Sequence, residues 1–143
     1  MVGMSRLISR FRVVARRNFE CRFRSSFVVP DRAYIEVEGR DAIKFLQGIC
    51  TNDVTHLNVH CDCVAAAFLT PKGRVLADTL IYNVTETKGG EICHLVIETH
   101  AAMLSGLTKF LHMYRLRNKA SIKPTSEYQT IITLPGKELD RAP

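Results

Sequence analysis

The sequence predicts an α+β domain: a largely antiparallel sheet with two helices packed on one of its faces. Three observations carry that expectation. Short apolar runs alternate with polar residues at period two, two other stretches repeat their apolar residues at helical spacing, and the connections between the runs are short turns rich in Pro, Gly and Lys.

In chain order, Ala33, Ile35 and Val37 alternate with Tyr34, Glu36 and Glu38, a half-buried strand that Gly39 ends. Asp41 is placed to cap a short helix carrying Ala42, Phe45, Leu46 and Ile49. Thr51-Asn52-Asp53 forms a turn after it, and 54–62 reads as a loop. Val64 to Leu69, the turn Pro71-Lys72-Gly73 and Val75 to Val84 form a hairpin. Lys88-Gly89-Gly90 turns into a third strand over Ile92–Ile97, completing a meander. Thr99 is the expected N-cap of a second helix over 100–114, where Met103, Leu104, Leu107, Phe110, Leu111 and Tyr114 form a wide stripe for the sheet. Strands near 118–123 and 128–134 follow, and Pro135-Gly136 reads as a turn into a further element.

At 143 residues and 46% hydrophobic, the chain has the length and the material for one packed core. Eight Gly and five Cys exclude a collagen-like chain and a disulfide scaffold, and 24% charged residues exclude a disordered polyelectrolyte. The net charge of +6 first suggests nucleic acid, but its placement argues otherwise. Residues 1–24 hold seven Arg and one acid, Glu20, while the other 119 residues carry 13 basic and 13 acidic side chains. An Arg-rich, acid-poor segment in which Leu7, Phe11, Val13 and Val14 share a helical face has the composition of a mitochondrial transit peptide. We therefore expect a leader over 1–28, a matrix location, no nucleic-acid partner and no membrane span. No apolar run reaches the roughly 18 residues that a spanning helix requires.

The succession Gly39-Arg40-Asp41-Ala42, Phe45-Leu46-Gln47-Gly48, Thr51-Asn52-Asp53-Val54 and Thr70-Pro71-Lys72-Gly73-Arg74-Val75-Leu76-Ala77-Asp78 resembles the amino-terminal region of the YgfZ/GcvT superfamily. That superfamily includes folate-dependent aminomethyltransferases and iron–sulfur cluster assembly factors. Lys109 to Arg117 resembles the mitochondrial assembly factors most. The resemblance implies the amino-terminal part of an aminomethyltransferase-like folate-binding domain over 29–143. It implies a role in maturing mitochondrial 4Fe–4S proteins, an A-type iron–sulfur scaffold as partner, and tetrahydrofolate as ligand. The K-G-C-x-x-G-Q-E signature of the assembly factors, which lies later in their chains, does not occur in this sequence. The domain is therefore read as partial. A folate-dependent aminomethyltransferase and an inactive truncated product are the alternatives.

Within the resemblance, Asp78 matches the second acid of an aminomethyltransferase strand pair and Ala77 replaces the first. Asp78 is accordingly the one candidate catalytic group. It is also the first candidate ligand contact, because a carboxylate orients an amine by charge-assisted hydrogen bonds. Asn52 and Asp53 are candidates beside the cavity, with a turn-closing role as the plainer reading. Arg74, at the hairpin tip with Lys72, could meet an anionic folate tail, and Tyr82 could stack on its ring. His56, His60, Cys61 and Cys63 raise a metal reading, but one residue between the thiols and no second pair argue against it. Cys50 and Cys93 are expected to act as small hydrophobes, and no bound metal is expected.

Overall fold

A computed structural model describes residues 24–58, 63–85 and 92–135. In chain order it contains β1 (Arg24–Val28), β2 (Arg32–Gly39), α1 (Ala42–Gln47), β3 (Cys63–Leu69), β4 (Val75–Asn83), β5 (Cys93–His100), α2 (Leu104–Arg115), β6 (Ser121–Thr125) and β7 (Ile131–Pro135). Single turns of 3₁₀ helix occupy Thr55–Asn58 and Ala101–Met103. The Lys88-Gly89-Gly90 turn, the cysteine at 61, the histidine at 60 and the leader through residue 23 lie outside the described residues.

Residues 31–127 form one unit, an antiparallel five-stranded sheet of order β3-β4-β5-β2-β6. The expected α+β architecture is thus the observed one. Alternation along the strands sends Ile35, Val37, Phe68, Ala77, Ile81, Leu95 and Ile97 to one face, where α1 contributes Phe45 and Leu46 and α2 contributes Leu107 and Leu111. All of these are at most 3% exposed. Fully burying one such Leu or Ile contributes about 1.5–3 kcal/mol, so this layer is the main stabilising element. Phe110 sits between Phe68 and Tyr114, with ring centroids 6.1 and 4.5 Å away.

Two capping expectations are corrected. Asp41 does not cap α1 with its side chain; its Oδ2 instead accepts from the Lys119 N–H at 2.7 Å. Thr99 is still in β5, and its hydroxyl donates to the Asp78 carbonyl at 3.1 Å. His100 caps the 3₁₀ turn that leads into α2, its Nδ1 accepting from the Ala102 N–H at 3.1 Å, and α2 itself, with Met103 at its N-cap position, has no side-chain cap. Met103 is also not part of the buried stripe, being 39% exposed.

Asp41 and Gly39 meet the chain after α2 at one point. A Cβ on Gly39, whose φ is +153°, would lie 2.0 Å from the Lys119 carbonyl oxygen, so only glycine fits there. The other sheet edge is closed by the turn after α1. Thr51 N–H donates to the Ala67 carbonyl at 3.0 Å, the Thr51 hydroxyl accepts from Ala67 N–H at 2.9 Å, and Asn52 Nδ2 donates to the Ala65 carbonyl at 2.8 Å. These bonds occupy backbone groups of β3 that would otherwise invite another strand. Pro124 does comparable work in β6, removing one donor from the opposite edge.

The second unit consists of β1 and β7, antiparallel from Arg24 opposite Pro135 to Val28 opposite Ile131. Val29 N–H extends the ladder to the Thr130 carbonyl at 2.9 Å. β1 is built from the last five residues of the stretch read as leader, where Phe27-Val28-Val29 supplies strand-favouring side chains.

Candidate functional site

The sheet face turned away from the helices carries the polar chemistry. Register places its side chains in rows. Leu80, Glu98 and Tyr34 stand side by side on β4, β5 and β2, and the next row is Cys63, Tyr82, Val96 and Glu36. Arg32 stands opposite His100 one row to the other side, and Asp78 stands opposite Ala67 on β3.

Glu98 is the centre of this face. It is 2% exposed, and both carboxylate oxygens are engaged. Arg32 Nε donates to Oε1 at 2.6 Å and the Tyr82 hydroxyl donates to Oε2 at 2.6 Å. A carboxylate this deep is tolerable only with such charge-assisted partners. Burial, then the bond to Glu98 and its negative charge, push the Tyr82 hydroxyl far above the usual tyrosine value. Tyr82 is therefore a fixed donor at any physiological pH. On the same face, His94 Nε2 is buried 3.7 Å from Glu36 Oε1, beyond hydrogen-bond distance.

Asp78 differs from Glu98 in every respect. It is exposed, its carboxylate enters no hydrogen bond or ion pair among the described residues, and it is not paired with Arg74. It lies four residues before Tyr82 on the same side of β4, about 13 Å away at the usual strand rise. Between them stands Leu80, and beside them Ala65 and Ala67 keep the neighbouring strand low. The result is a shelf of small side chains with one open carboxylate at its end.

The other expected site residues are placed elsewhere. Asn52 Oδ1 accepts from the Asp53 N–H at 2.8 Å while its amide holds β3, so both ends of that side chain serve the turn. Asp53 Oδ1 accepts from the Thr55 hydroxyl at 2.5 Å and the Thr55 N–H at 2.9 Å, and His56 Nε2 lies 3.3 Å from Oδ2. The Thr55 hydroxyl bond is the main reason its carboxyl is held below the usual range. Arg74 is exposed at the base of the β3–β4 turn, where its N–H and carbonyl bond back to Thr70. Of the five residues singled out, Asp78 and Tyr82 share the open face of β4, and Asn52 and Asp53 share the turn at the β3 edge.

Sequence reasoning missed Arg32, Tyr34 and Glu98. Their only signal is an acid directly after the apolar run of β5 and an Arg at the start of β2, 66 positions apart, which no local spacing connects. Among the described residues no group of His, Cys, Asp and Glu could hold a metal ion. Cys50, Cys63 and Cys93 form no disulfide among the described residues, and burial pushes the Cys50 thiol up.

Comparison with known proteins follows the same outline. No family model matches the chain. It is 33% identical over 104 residues to the mitochondrial iron–sulfur cluster assembly factor IBA57 homolog of Mycosarcoma maydis, covering 68% of this chain and 26% of that protein. It is 31% identical over 116 residues to the mitochondrial iron–sulfur cluster assembly factor IBA57 of Mus musculus, covering 76% and 32%. The chain thus spans about a quarter to a third of the length of these relatives. Its fold matches that of the glycine cleavage system aminomethyltransferase T from Bartonella henselae, with a TM-score of 0.63 at 16% identity, covering 77% of this chain and 28% of that one.

Proposed function

Because this chain belongs, as a partial chain, to the IBA57-type iron–sulfur cluster assembly factors on an aminomethyltransferase-like fold, we propose that it serves cluster assembly in the mitochondrial matrix. In this reading it acts in the maturation of 4Fe–4S proteins together with an A-type iron–sulfur scaffold, and the shelf beside Asp78 takes tetrahydrofolate. Two independent features support the location: relatives from a fungus and a mammal are named mitochondrial, and residues 1–24 have the composition of a matrix-targeting leader.

The observation that carries the ligand reading is the open Asp78 carboxylate at the end of the Ala65–Ala67–Leu80 shelf. In this reading a flat pterin lies against Ala65 and Ala67, and the carboxylate accepts from its amine and ring N–H donors, bonds that an ionised acid makes strongly. Tyr82 offers only its ring, since its hydroxyl is held by Glu98. Bound tetrahydrofolate would supply a carrier for a one-carbon unit. The chain's own residues orient it through Asp78, while Glu98, with Arg32 and Tyr82, keeps the surface rigid.

An aminomethyl-transfer activity is the weaker reading. The position that the resemblance gives to a first acid is Ala77, 2% exposed and turned into the core, where a carboxylate would be stranded.

The test has two separable arms. In cells depleted of their own IBA57, the protein should restore activity of a mitochondrial 4Fe–4S enzyme such as aconitase, and Asp78→Asn should leave most of that activity in place. No restoration would remove the assembly reading. Tetrahydrofolate titrated by calorimetry should bind wild type and bind Asp78→Asn about tenfold more weakly, the loss of one charge-assisted bond. Equal binding by both, or none, would remove the folate reading alone.

A further inference from the structure

The neutral body conceals a segregation of charge. Residues 99–126 contain five Lys and Arg and no Asp or Glu, so the rest of the body past residue 24 carries an excess of five acids. The basic stretch is α2, the loop after it and β6. Lys109, Arg115, Arg117, Lys119 and Lys123 are all exposed, and neither Lys109 nor Arg117 enters an ion pair among the described residues.

Apolar surface lies within this charge. The outer face of α2 and the edge of β6 enclose an open groove of about 700 Å³, lined by Leu104, Thr108, Lys109, His112, Met113 and Pro124. Met113 is 68% exposed at its rim. One turn further, Leu116 is 81% exposed and held at a φ of +46°, a left-handed conformation that a leucine adopts at a cost of about 1 kcal/mol or more. The loop around it is fixed. Asn118 Nδ2 and N–H both donate to the Arg115 carbonyl at 2.9 Å, and Lys119 is clamped to Asp41. An exposed leucine between two arginines is thus presented on a rigid frame, which lowers the ordering cost of an encounter.

We propose that this face docks an acidic segment of a protein partner that inserts an apolar side chain into the α2–β6 groove. Such docking depends only on the charge and shape of this face and requires neither folate nor cluster assembly. A bilayer is a poorer occupant, because the apolar stripe of α2 faces the sheet through Leu107 and Leu111, and what remains outside is a shallow groove and one tip. A nucleic acid would use the charge but not the groove. The nearby aromatic rings, Phe110 and Tyr114, are packed against each other and the core rather than offered for stacking.

The four methionines make the test site-specific, since Met103 and Met113 report this face while Met1 and Met4 report the basic leader. The full chain, labelled with ¹³C-methyl methionine, is titrated with a synthetic Glu/Leu peptide of about a dozen residues, the length that spans such a groove as a helix. Saturable shifts of the Met113 methyl are expected. Lys109→Glu/Arg117→Glu should weaken the fitted affinity by about tenfold, with Lys109→Gln/Arg117→Gln intermediate. A Glu/Ser peptide should be weaker by a similar factor, and Lys44→Glu on α1 should change nothing. The proposal falls if shifts are confined to Met1 and Met4, or if the Glu/Leu and Glu/Ser peptides bind alike. It falls equally if both double variants bind as wild type, if phosphatidylserine vesicles saturate Met113, or if Met113 shifts with protein concentration alone.

Discussion

Removing Arg32 should expose how much of this domain's stability rests on one buried carboxylate. The Glu98 side chain is 3% exposed and the Arg32 side chain 22%, so solvent screens their 2.6 Å bond little. Arg32→Met strips the buried Glu98 carboxylate of its Arg32 partner, and breaking a buried pair from one side costs about 3–5 kcal/mol. The partial exposure of Arg32 lets water reach the site, which favours the lower end, about 3 kcal/mol. For a unit of this size each kcal/mol moves the midpoint by about 4–8 °C, so Tm should fall by roughly 12–24 °C. Tyr82→Phe removes a bond to an ionised acceptor and should cost about 1.5–3 kcal/mol. Replacing all three, Arg32→Met with Glu98→Leu and Tyr82→Phe, deletes the charge together with these two donors. That variant should return to within about 2 kcal/mol of wild type, because a well-filled apolar site replaces a buried ion pair at little net cost. The chain has no Trp, so urea and thermal unfolding are followed by far-UV circular dichroism. An Arg32→Met loss below about 1 kcal/mol, or a triple variant as unstable as the single one, would refute the reasoning.

Three further outcomes follow from the same structure. Tyr82 has its proton held more tightly in the folded state than in the unfolded chain, so its contribution is complete below the unfolded value of about 10 and is lost as pH rises towards its folded value. Wild-type stability should therefore fall more steeply than that of Tyr82→Phe above about pH 10, and parallel profiles would contradict this. Gly39→Ala drives a methyl into the Lys119 carbonyl at a φ that L-residues rarely adopt, and should lower Tm by more than about 10 °C. Asp53, whose folded pKa is lowered chiefly by the Thr55 hydroxyl, should titrate by carboxyl NMR below the ordinary value of about 3.9, and Thr55→Val should raise it. Its contribution is present above that ordinary value and lost as pH falls through the folded one.

Strands β2 to β7 and both helices were legible because each is a local pattern: period two in β2 and β5, apolar runs bounded by turns in β3 and β4, and a helical stripe in α2, whereas β1 lay in the stretch read as leader. What escaped was the use of polar side chains whose local and distant options are equally good chemistry. Asp41 stands where a helix cap belongs, yet its carboxylate reaches an N–H 78 residues away. Thr99 likewise reaches the Asp78 carbonyl across the sheet instead of starting a helix. Glu98 and Arg32 become partners only through the antiparallel register that sets Tyr34 opposite Glu98 and Arg32 opposite His100. Spacing along the chain holds no trace of that register.

The contrast between Ala77 and Asp78 follows from the same geometry. Adjacent residues of a strand face opposite sides, so an acid pair at these positions would place one carboxylate in the core and the other on the open face. This sequence keeps the acid only on the open face. Ala77, 2% exposed, completes the layer under the helices, and Asp78 remains available on the outside. A domain that shapes a binding surface needs only the second group, and dispensing with the first removes a buried charge that would otherwise require its own partner, as Glu98 requires Arg32 and Tyr82. Restoring the acid with Ala77→Asp should for that reason destabilise the core without creating a transferase, and a variant as stable as wild type would show that this position is more open to water than its burial states.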